Sequence, residues 1–533
     1  MRGFSTKQIT IKRLFPFGSL AIVLAVLIAG SYERAPRAWE ISKIPIAFWA
    51  WQTEAPSKSF IVEAVRESGA QILFLRAGQI DFEDGKLRRI RSVKGAFPSG
   101  IETHLLYNAT RSFLSSFERL KPDAIASTIL NAYREDMARA KSDGAQVVGL
   151  QLDIDSPTRL LPHYEQVLRY IRSQMPYGHK LSITGLPTWM NSPALEQTLA
   201  PVDFWIPQFY GAKIPDRMDV AIPIASSEEI SRAIERARKL NRPFYAGLAA
   251  YGYAILYARS GSLLSLRGDL DPALVVRDSN FELLERKPFP TARKPKDGNS
   301  EPITSEWRYI YRARRESVIA GMPVRAGEYL MFDVPSAASL RENARIIRQR
   351  AGDMLLGLCI FRLPVGRDST TLTVREMAAA LSDRDPLFTV NAQAEALQKG
   401  KDRYYLSLRI TNSGSARALM GEGALSVTLS VPTASVRAVR LGGLSSSESL
   451  CAALAESGSE DFAGAHPCGL MRANALRLKA LTWEPGASAE ATIEIGAAPP
   501  ATLSIEISLT ADDGRELRIE KKVRVERRLI DEL

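Results

Sequence analysis

Val147-Val148-Gly149-Leu150-Gln151-Leu152-Asp153-Ile154-Asp155 decides how the rest of the chain is read. An apolar run of this kind is a buried parallel strand, and it ends in two carboxylates at i and i+2. Side chains alternate across a strand, so Asp153 and Asp155 leave on one face. At the carboxyl end of a strand in a (β/α)8 barrel, that face opens on the active-site mouth. Two neighbouring carboxylates push each other's proton affinity apart, which makes an acid and a base from one residue type. A second reading of Asp155 stays open beside this one. Asp155-Ser156-Pro157 also fits a helix cap, with Pro157 at the first helical position. Asp153 has no such alternative, because an unpaired charge inside an apolar strand is costly.

Outward from this strand the chain alternates apolar segments with amphipathic ones. Strands are expected at residues 46–51, 72–76, 103–108, 147–153, 181–186, 204–209, 244–249 and 355–362. Helical patterns fall between most of them, as at 122–141, 161–174 and 227–240. Eight strands separated by helices predict a closed (β/α)8 TIM barrel over residues 39–385. A ninth apolar segment, 329–334, exceeds that count.

Residues 252–327 break the rhythm as an insertion after strand 7. Between Arg286 and Arg315 there are nine basic residues and three acidic ones. Trp307, Tyr309 and Tyr311 are interleaved with Arg308, Arg312, Arg314 and Arg315. Long insertions in a barrel usually form a lid or wall at the catalytic face; a solvated amphipathic helix is the other reading of these charges. From 386 to 533 the period changes to two, in segments such as 405–411, 424–430, 476–483, 489–495 and 503–510. Asn-Ser-Gly, Pro-Gly and Asp-Asp-Gly turns separate them. This predicts an antiparallel, immunoglobulin-like β-sandwich.

Length, charge and cysteine usage set the outer bounds. A chain of 533 residues needs more than one core. Lys plus Arg number 70 against 59 for Asp plus Glu, a net charge of +11. No basic helix, zinc-finger spacing or aromatic RNA-binding motif accompanies that charge, so nucleic acid is not an expected partner. Part of the excess sits in residues 1–38, where Arg2, Lys7, Lys12 and Arg13 precede an apolar run over 14–30. That pattern is a secretory signal or a short N-terminal membrane anchor. It places the remainder outside the cytoplasm, in a bacterial periplasm, tethered or released. Ser31 stands where a lipoprotein signal needs Cys, so no lipid is expected. Of three cysteines, Cys359 reads as a core thiol, while Cys451 and Cys468 flank a small-residue loop and are able to pair in an oxidising compartment. Four scattered histidines, His104, His163, His179 and His466, give no metal spacing, and no cofactor is expected.

Aromatic residues gather where strands end. Trp49 and Trp51 close the first strand, Trp189 follows the fifth, Tyr210 ends the sixth and Tyr251 follows the seventh. A barrel interior is ordinarily filled by Val, Ile and Leu. Trp and Tyr at several strand ends instead suit the apolar faces of sugar rings, although each alone is more often packing. Arg76 and Asn108, at the ends of strands two and three, are placed to hold hydroxyls.

With these residues in view the chain resembles family-18 glycoside hydrolases, the chitinase-like barrels, over residues 44–364. Their fourth strand reads D-G-x-D-x-D-x-E, against Val148-Gly149-Leu150-Gln151-Leu152-Asp153-Ile154-Asp155 here. Their sixth carries M-x-Y-D, against Gln208-Phe209-Tyr210-Gly211. Their seventh reads like G-L-P-L-Y-G-R, against Gly247-Leu248-Ala249-Ala250-Tyr251-Gly252-Tyr253. A Y-D-D-x-x-S segment before the last helix matches Met331-Phe332-Asp333-Val334-Pro335-Ser336 and accounts for the ninth strand. The last strand, ending in Trp in the family, ends here at Phe361. The chain also resembles an uncharacterised bacterial domain family with a chitinase-like barrel.

The resemblance implies a role for each matched position. Asp155 would protonate the leaving oxygen, Asp153 would orient the substrate's acetamide, and Tyr210 would hydrogen-bond it. Trp49, Trp51, Arg76, Asn108, Gln151, Trp189, Gln208, Tyr251 and Phe361 make up the substrate-binding candidates. The departures from the family include Asp155 in place of Glu, Gln151 in place of the Asp two residues before Asp153, and Gly211 in place of the Asp after Tyr. The expected activity is cleavage of an N-acetylated or amino-sugar polysaccharide. The alternative is a glycan-binding or polysaccharide-assembly protein on the same barrel, with the sandwich as an adhesion module or as the site of a protein partner whose nature the sequence leaves open. Asn108-Ala109-Thr110 is a glycosylation sequon at the proposed mouth, where a glycan would obstruct it. That favours a bacterial envelope.

Overall fold

The computed structural model describes residues 44–529, apart from 212, 221, 291–303, 365–368, 400, 434, 455–459 and 513. The leader at 1–38 lies outside the described residues. Among these residues no helix is long and apolar enough to cross a membrane.

Eight parallel strands close on themselves. They are β1 (Ile46–Ala50), β2 (Ile72–Glu83), β3 (Glu102–Ala109), β4 (Gln146–Asp153), β5 (Lys180–Gly185), β6 (Phe204–Pro207), β7 (Phe244–Ala249) and β8 (Leu355–Phe361). Each pairs with its sequence neighbour, and β1 pairs with both β2 and β8, which shuts the barrel. The expected helices are present at Pro122–Ser142, Leu161–Gln174 and Ser227–Lys239. Strand alternation then stacks the interior in layers. Phe74, His104, Phe204 and Tyr245 fill the lower part, with ring centroids 4.9 to 6.4 Å apart. Burial among them pushes the His104 imidazole down to about 3, so it is a neutral core residue. Above this layer Trp49 crosses the barrel. It passes over the bare Cα of Gly247, where an added Cβ would meet the Pro207 carbonyl oxygen at 2.8 Å and the Trp49 ring at 3.2 Å.

The insertion after β7 is a five-stranded antiparallel sheet, ordered Leu263–Arg267, Tyr253–Tyr257, Tyr329–Pro335, Thr304–Ala313 and Phe281–Pro290. The ninth apolar segment is its central strand. The alternation of Trp307, Tyr309 and Tyr311 with Arg308 is that of a two-faced strand, so the amphipathic-helix reading is set aside. Trp307, Tyr309 and Tyr311 pack in the insertion's own core. Tyr309 Oη also accepts from the Met420 amide at 3.2 Å, which ties this face to the C-terminal domain.

Among the described residues that domain is a β-sandwich of ten strands, most of them around one apolar core, with Leu450, Phe462 and Ala475 in a small second cluster. Glu516–Leu529 joins its halves. It pairs antiparallel with Thr502–Thr510 and, by its last residues, parallel with Val390–Gln398. Arg417 fixes the sandwich to the barrel. Its guanidinium is buried against Glu376 and donates to the Ser369 and Thr371 carbonyl oxygens at 3.0 and 2.8 Å. Cys451 and Cys468 are joined as a disulfide and Cys359 is buried.

Candidate active site

The mouth is built by residues at the carboxyl ends of the strands. Gln151 and Asp153 point inward from β4 in successive layers. Trp49 Nε1 donates to Gln151 Oε1 at 2.7 Å, and Gln151 Nε2 donates to Ser182 Oγ at 3.3 Å. Gln151 and Trp49 are 0 % and 2 % exposed, so they form the floor rather than the binding surface. One layer up, Thr184 Oγ1 donates to Asp153 Oδ1 at 2.6 Å. Asp153 is half-buried and Asp155, beyond the strand end, is exposed at the rim.

Burial, then the neighbouring Asp155 charge, raise the Asp153 carboxyl to about 7; the Thr184 hydrogen bond and Arg76 oppose that rise. Asp155 is accessible to solvent yet set within the concavity, and desolvation there pushes its carboxyl up too. Below about pH 7 the Asp153 carboxyl therefore holds a proton, in a titration it shares with Asp155.

Asp155 does not cap the next helix. A short 3-10 turn, Thr158–Leu160, intervenes, and the residue preceding the helix is Leu160, with no side-chain cap. The cap alternative is thereby corrected, and among the described residues the Asp155 side chain has no hydrogen-bond or ion-pair partner.

Phe361 is the hub of the aromatic wall. Tyr210 stacks on it at 6.0 Å and 20°. Tyr251, Trp51 and Trp49 meet it edge-on at 5.0, 5.6 and 5.9 Å. Trp51, Tyr251, Gln208 and Phe361 are half-buried, so part of each faces solvent. Tyr210 is 8 % exposed; its phenol, raised by burial and then by Tyr251 and Asp153, stays protonated. Trp189 is a correction. It is wholly buried, packed on Tyr164 with Nε1 donating to the Ser156 carbonyl oxygen at 2.9 Å, and offers no face to a sugar.

Arg76 and Asn108 lie side by side next to the Trp51 end of this wall. Arg76 is not the last residue of its strand. β2 shifts register between Arg76 and Gly78 and runs on to pair with Lys86–Ile90. Arg76 Nε donates to Asn108 Oδ1 at 3.1 Å, and the guanidinium sits 5.3 Å over the Trp51 ring. Asn108 is buried, so a glycan on its sequon would require this pair to open.

Three contributors escaped the reading of the sequence. Thr184 carries the signal that exposed Asp153, an inward position at a strand end two residues after Ser182. Tyr164 is fully buried with a hydroxyl that has no hydrogen-bond partner among the described residues, and the charges of Asp153 and Asp155 reach it. Glu306 comes from the insertion. Its Oε1 accepts from the Ile224 amide at 2.6 Å, while the Ile224 carbonyl oxygen accepts from the Gly211 amide at 2.7 Å. Arg308, one strand period on, donates to the Val220 carbonyl oxygen at 3.4 Å and pairs with Asp333 at 2.7 and 2.8 Å. The insertion thus clamps the loop that follows Tyr210. Its approach at Gly252 is close, since an added Cβ would lie 1.9 Å from the Asp333 carbonyl oxygen. Among the described residues no group of three His, Cys, Asp or Glu is placed to hold a metal ion.

A family model described as "Domain of unknown function (DUF3142)" matches residues 117–282, the stretch from the helix before β4 into the insertion. No curated protein matches the chain. Solved structures similar to it include the Bacillus cereus spore cortex-lytic enzyme SleL, at 10% identity and TM-score 0.40, covering 64% of this chain and 74% of that one. The C-terminal domain of a putative chitinase from Desulfitobacterium hafniense is similar at 13% identity and TM-score 0.40, covering 64% and 98%. A class V chitinase from Pseudomonas fluorescens Pf-5 is similar at 13% identity and TM-score 0.38, covering 64% and 99%.

Proposed function

We propose that this protein is a glycoside hydrolase of the bacterial envelope that cleaves an N-acetylated or amino-sugar polysaccharide with acid assistance. The observation that carries the reading is the Asp153–Asp155 pair at the barrel mouth, with a proton held near neutral pH by burial and mutual repulsion. In this reading Asp155, at the rim, presents the proton to the glycosidic oxygen. Asp153 keeps the charge of the pair low, and Tyr210 and the Phe361 wall seat the sugar. Export by the basic and apolar leader brings the site to an envelope polymer. A reporter active only in the cytoplasm, fused after Ala38, is expected to give no signal; strong signal there ends the envelope reading.

The direct test is incubation with N-acetylglucosamine oligomers and with peptidoglycan, scoring new reducing ends. Product from the wild type, and none from Asp155→Asn, is the expected result.

A binding protein on the same barrel is the second reading, and one observation favours it. Among the described residues no side chain or amide holds the Asp155 carboxylate in place, and a loosely placed acid loses much of its rate advantage. Tight binding of these oligomers without any cleavage selects that reading.

A further inference from the structure

Arg76 is 9 % exposed, and among the described residues no carboxylate lies within ion-pair distance of it. Its partners are neutral: Asn108 Oδ1 at 3.1 Å, the Trp51 carbonyl oxygen at 3.4 Å and the Trp51 ring. Nε and Nη1 make those bonds, and Nη2 makes none among the described residues. Asp153 is the acid whose charge reaches Arg76, and its carboxyl is about half protonated near pH 7. A second guanidinium, Arg91, is exposed in the loop after the β2 arm, and its charge also reaches Arg76. Guanidinium remains cationic in proteins. A nearly buried cation without a counter-charge is costly, and an anion brought by a ligand relieves that cost.

We propose that the mouth selects a saccharide bearing a carboxylate, and that Arg76 receives that carboxylate. This rests on the glycan reading above and narrows it to acidic glycans. The planar fork of Arg76 suits a carboxylate better than a hydroxyl, and the Trp51 face beneath it holds the fork in plane. β2 and β4 are two strand spacings apart, roughly 10 Å. The acid group therefore belongs to a ring beside the one whose bond faces Asp155. Arg91, further out, strengthens the attraction without sealing the site.

Two sources of such a carboxylate are separable by titration calorimetry on the whole exported chain. One probe is a hyaluronan oligosaccharide, whose acid is a uronate. The other is a peptidoglycan glycan fragment, whose acid is the lactyl group of muramic acid. An N-acetylglucosamine oligomer of equal length is the neutral reference. At least one acidic probe is expected to bind about tenfold or more tighter than the neutral one, the worth of a charge-assisted hydrogen bond. That advantage shrinks as salt rises. Arg76→Met brings the acidic-to-neutral ratio close to one, and Arg76→Lys, which keeps charge but not the fork, retains part of it. Arg91→Gln, on the surface and safe for folding, lowers the ratio a few-fold. The proposal is overturned by a neutral oligomer that binds as tightly as both acidic ones, by a ratio that Arg76→Met leaves unchanged, or by no binding of any probe. Acidic probes bound but never cleaved sink the hydrolase reading alone. Neutral oligomers bound and cleaved as well as acidic ones sink this proposal alone.

Discussion

Thr184 Oγ1 and Asp153 Oδ1 are 2.6 Å apart, on adjacent strands of the barrel mouth. This hydrogen bond favours the charged carboxylate, while burial and Asp155 favour the neutral acid. The balance sets the Asp153 titration at about 7 and makes it adjustable by a single neighbour.

Activity is therefore expected to fall as pH rises through about 7, because the pair gives up its proton there. Thr184→Val removes the bond that favours the anion, so the alkaline limb moves to higher pH. Asp153→Asn removes that limb and slows the rate. A pH–rate series on the three proteins checks this; a limb unmoved by either change rejects Asp153 as its origin.

Stability follows from the same shift, with its own sign. A carboxyl raised in the folded state binds more protons than in the unfolded chain between its ordinary value near 4 and about 7. Its contribution is present at acid pH and is lost as pH climbs to about 7. Asp153→Asn should then melt higher than wild type at pH 8, by roughly a few degrees, with the gap closing by pH 4. Thermal scans at the two pH values decide it.

Asp155→Asn is nearly isosteric and is expected to lower turnover about a hundred- to ten-thousand-fold while leaving oligosaccharide affinity within a few-fold. Equal cleavage by wild type and variant moves the acid role to another carboxylate at the mouth.

Much of this was legible in the chain itself. Eight apolar segments, each followed by helical or loop punctuation, read as a barrel because parallel strands buried on both faces carry no polar alternation. Asp153 was visible for the complementary reason, a charge interrupting such a run. Trp189 was misplaced because an aromatic after a strand end points to a mouth or to a helix interface with the same local sequence. Here Tyr164 and the Ser156 carbonyl oxygen claim it. The hydrogen-bond route from Glu306 to the loop after Tyr210 was not legible. It joins residues some eighty positions apart through backbone amides, which carry no side-chain signature.

The disulfide gives a prediction independent of any substrate. Thiol counting on the protein purified without reductant and denatured should find one thiol, Cys359, and three after reduction. The bridge closes a loop of 17 residues, for which unfolded-state restriction is worth roughly 3 kcal/mol. Cys451→Ser should therefore weaken the sandwich, and three free thiols in the native protein would show that the pair does not form.

The insertion's hold on the site rests on Glu306. Its carboxyl is buried, and burial and the neighbouring Asp333 push it well above the usual carboxylate range, so it sits as a neutral acceptor for the Ile224 amide. Ile224 in turn accepts from the Gly211 amide beside Tyr210. Glu306→Gln keeps a neutral acceptor and should preserve both the order of this loop and oligosaccharide affinity within a few-fold. Glu306→Ala leaves the Ile224 amide without its partner, a loss of roughly 1–3 kcal/mol. Amide hydrogen exchange in peptides covering 206–226 should then speed by about tenfold or more, with β4 unchanged, and Tyr210-dependent affinity should fall with it. Uniform loss of protection across the barrel would mark Glu306 as a general stabiliser. Equal behaviour of the Gln and Ala variants would show that the acceptor oxygen is not what positions Tyr210.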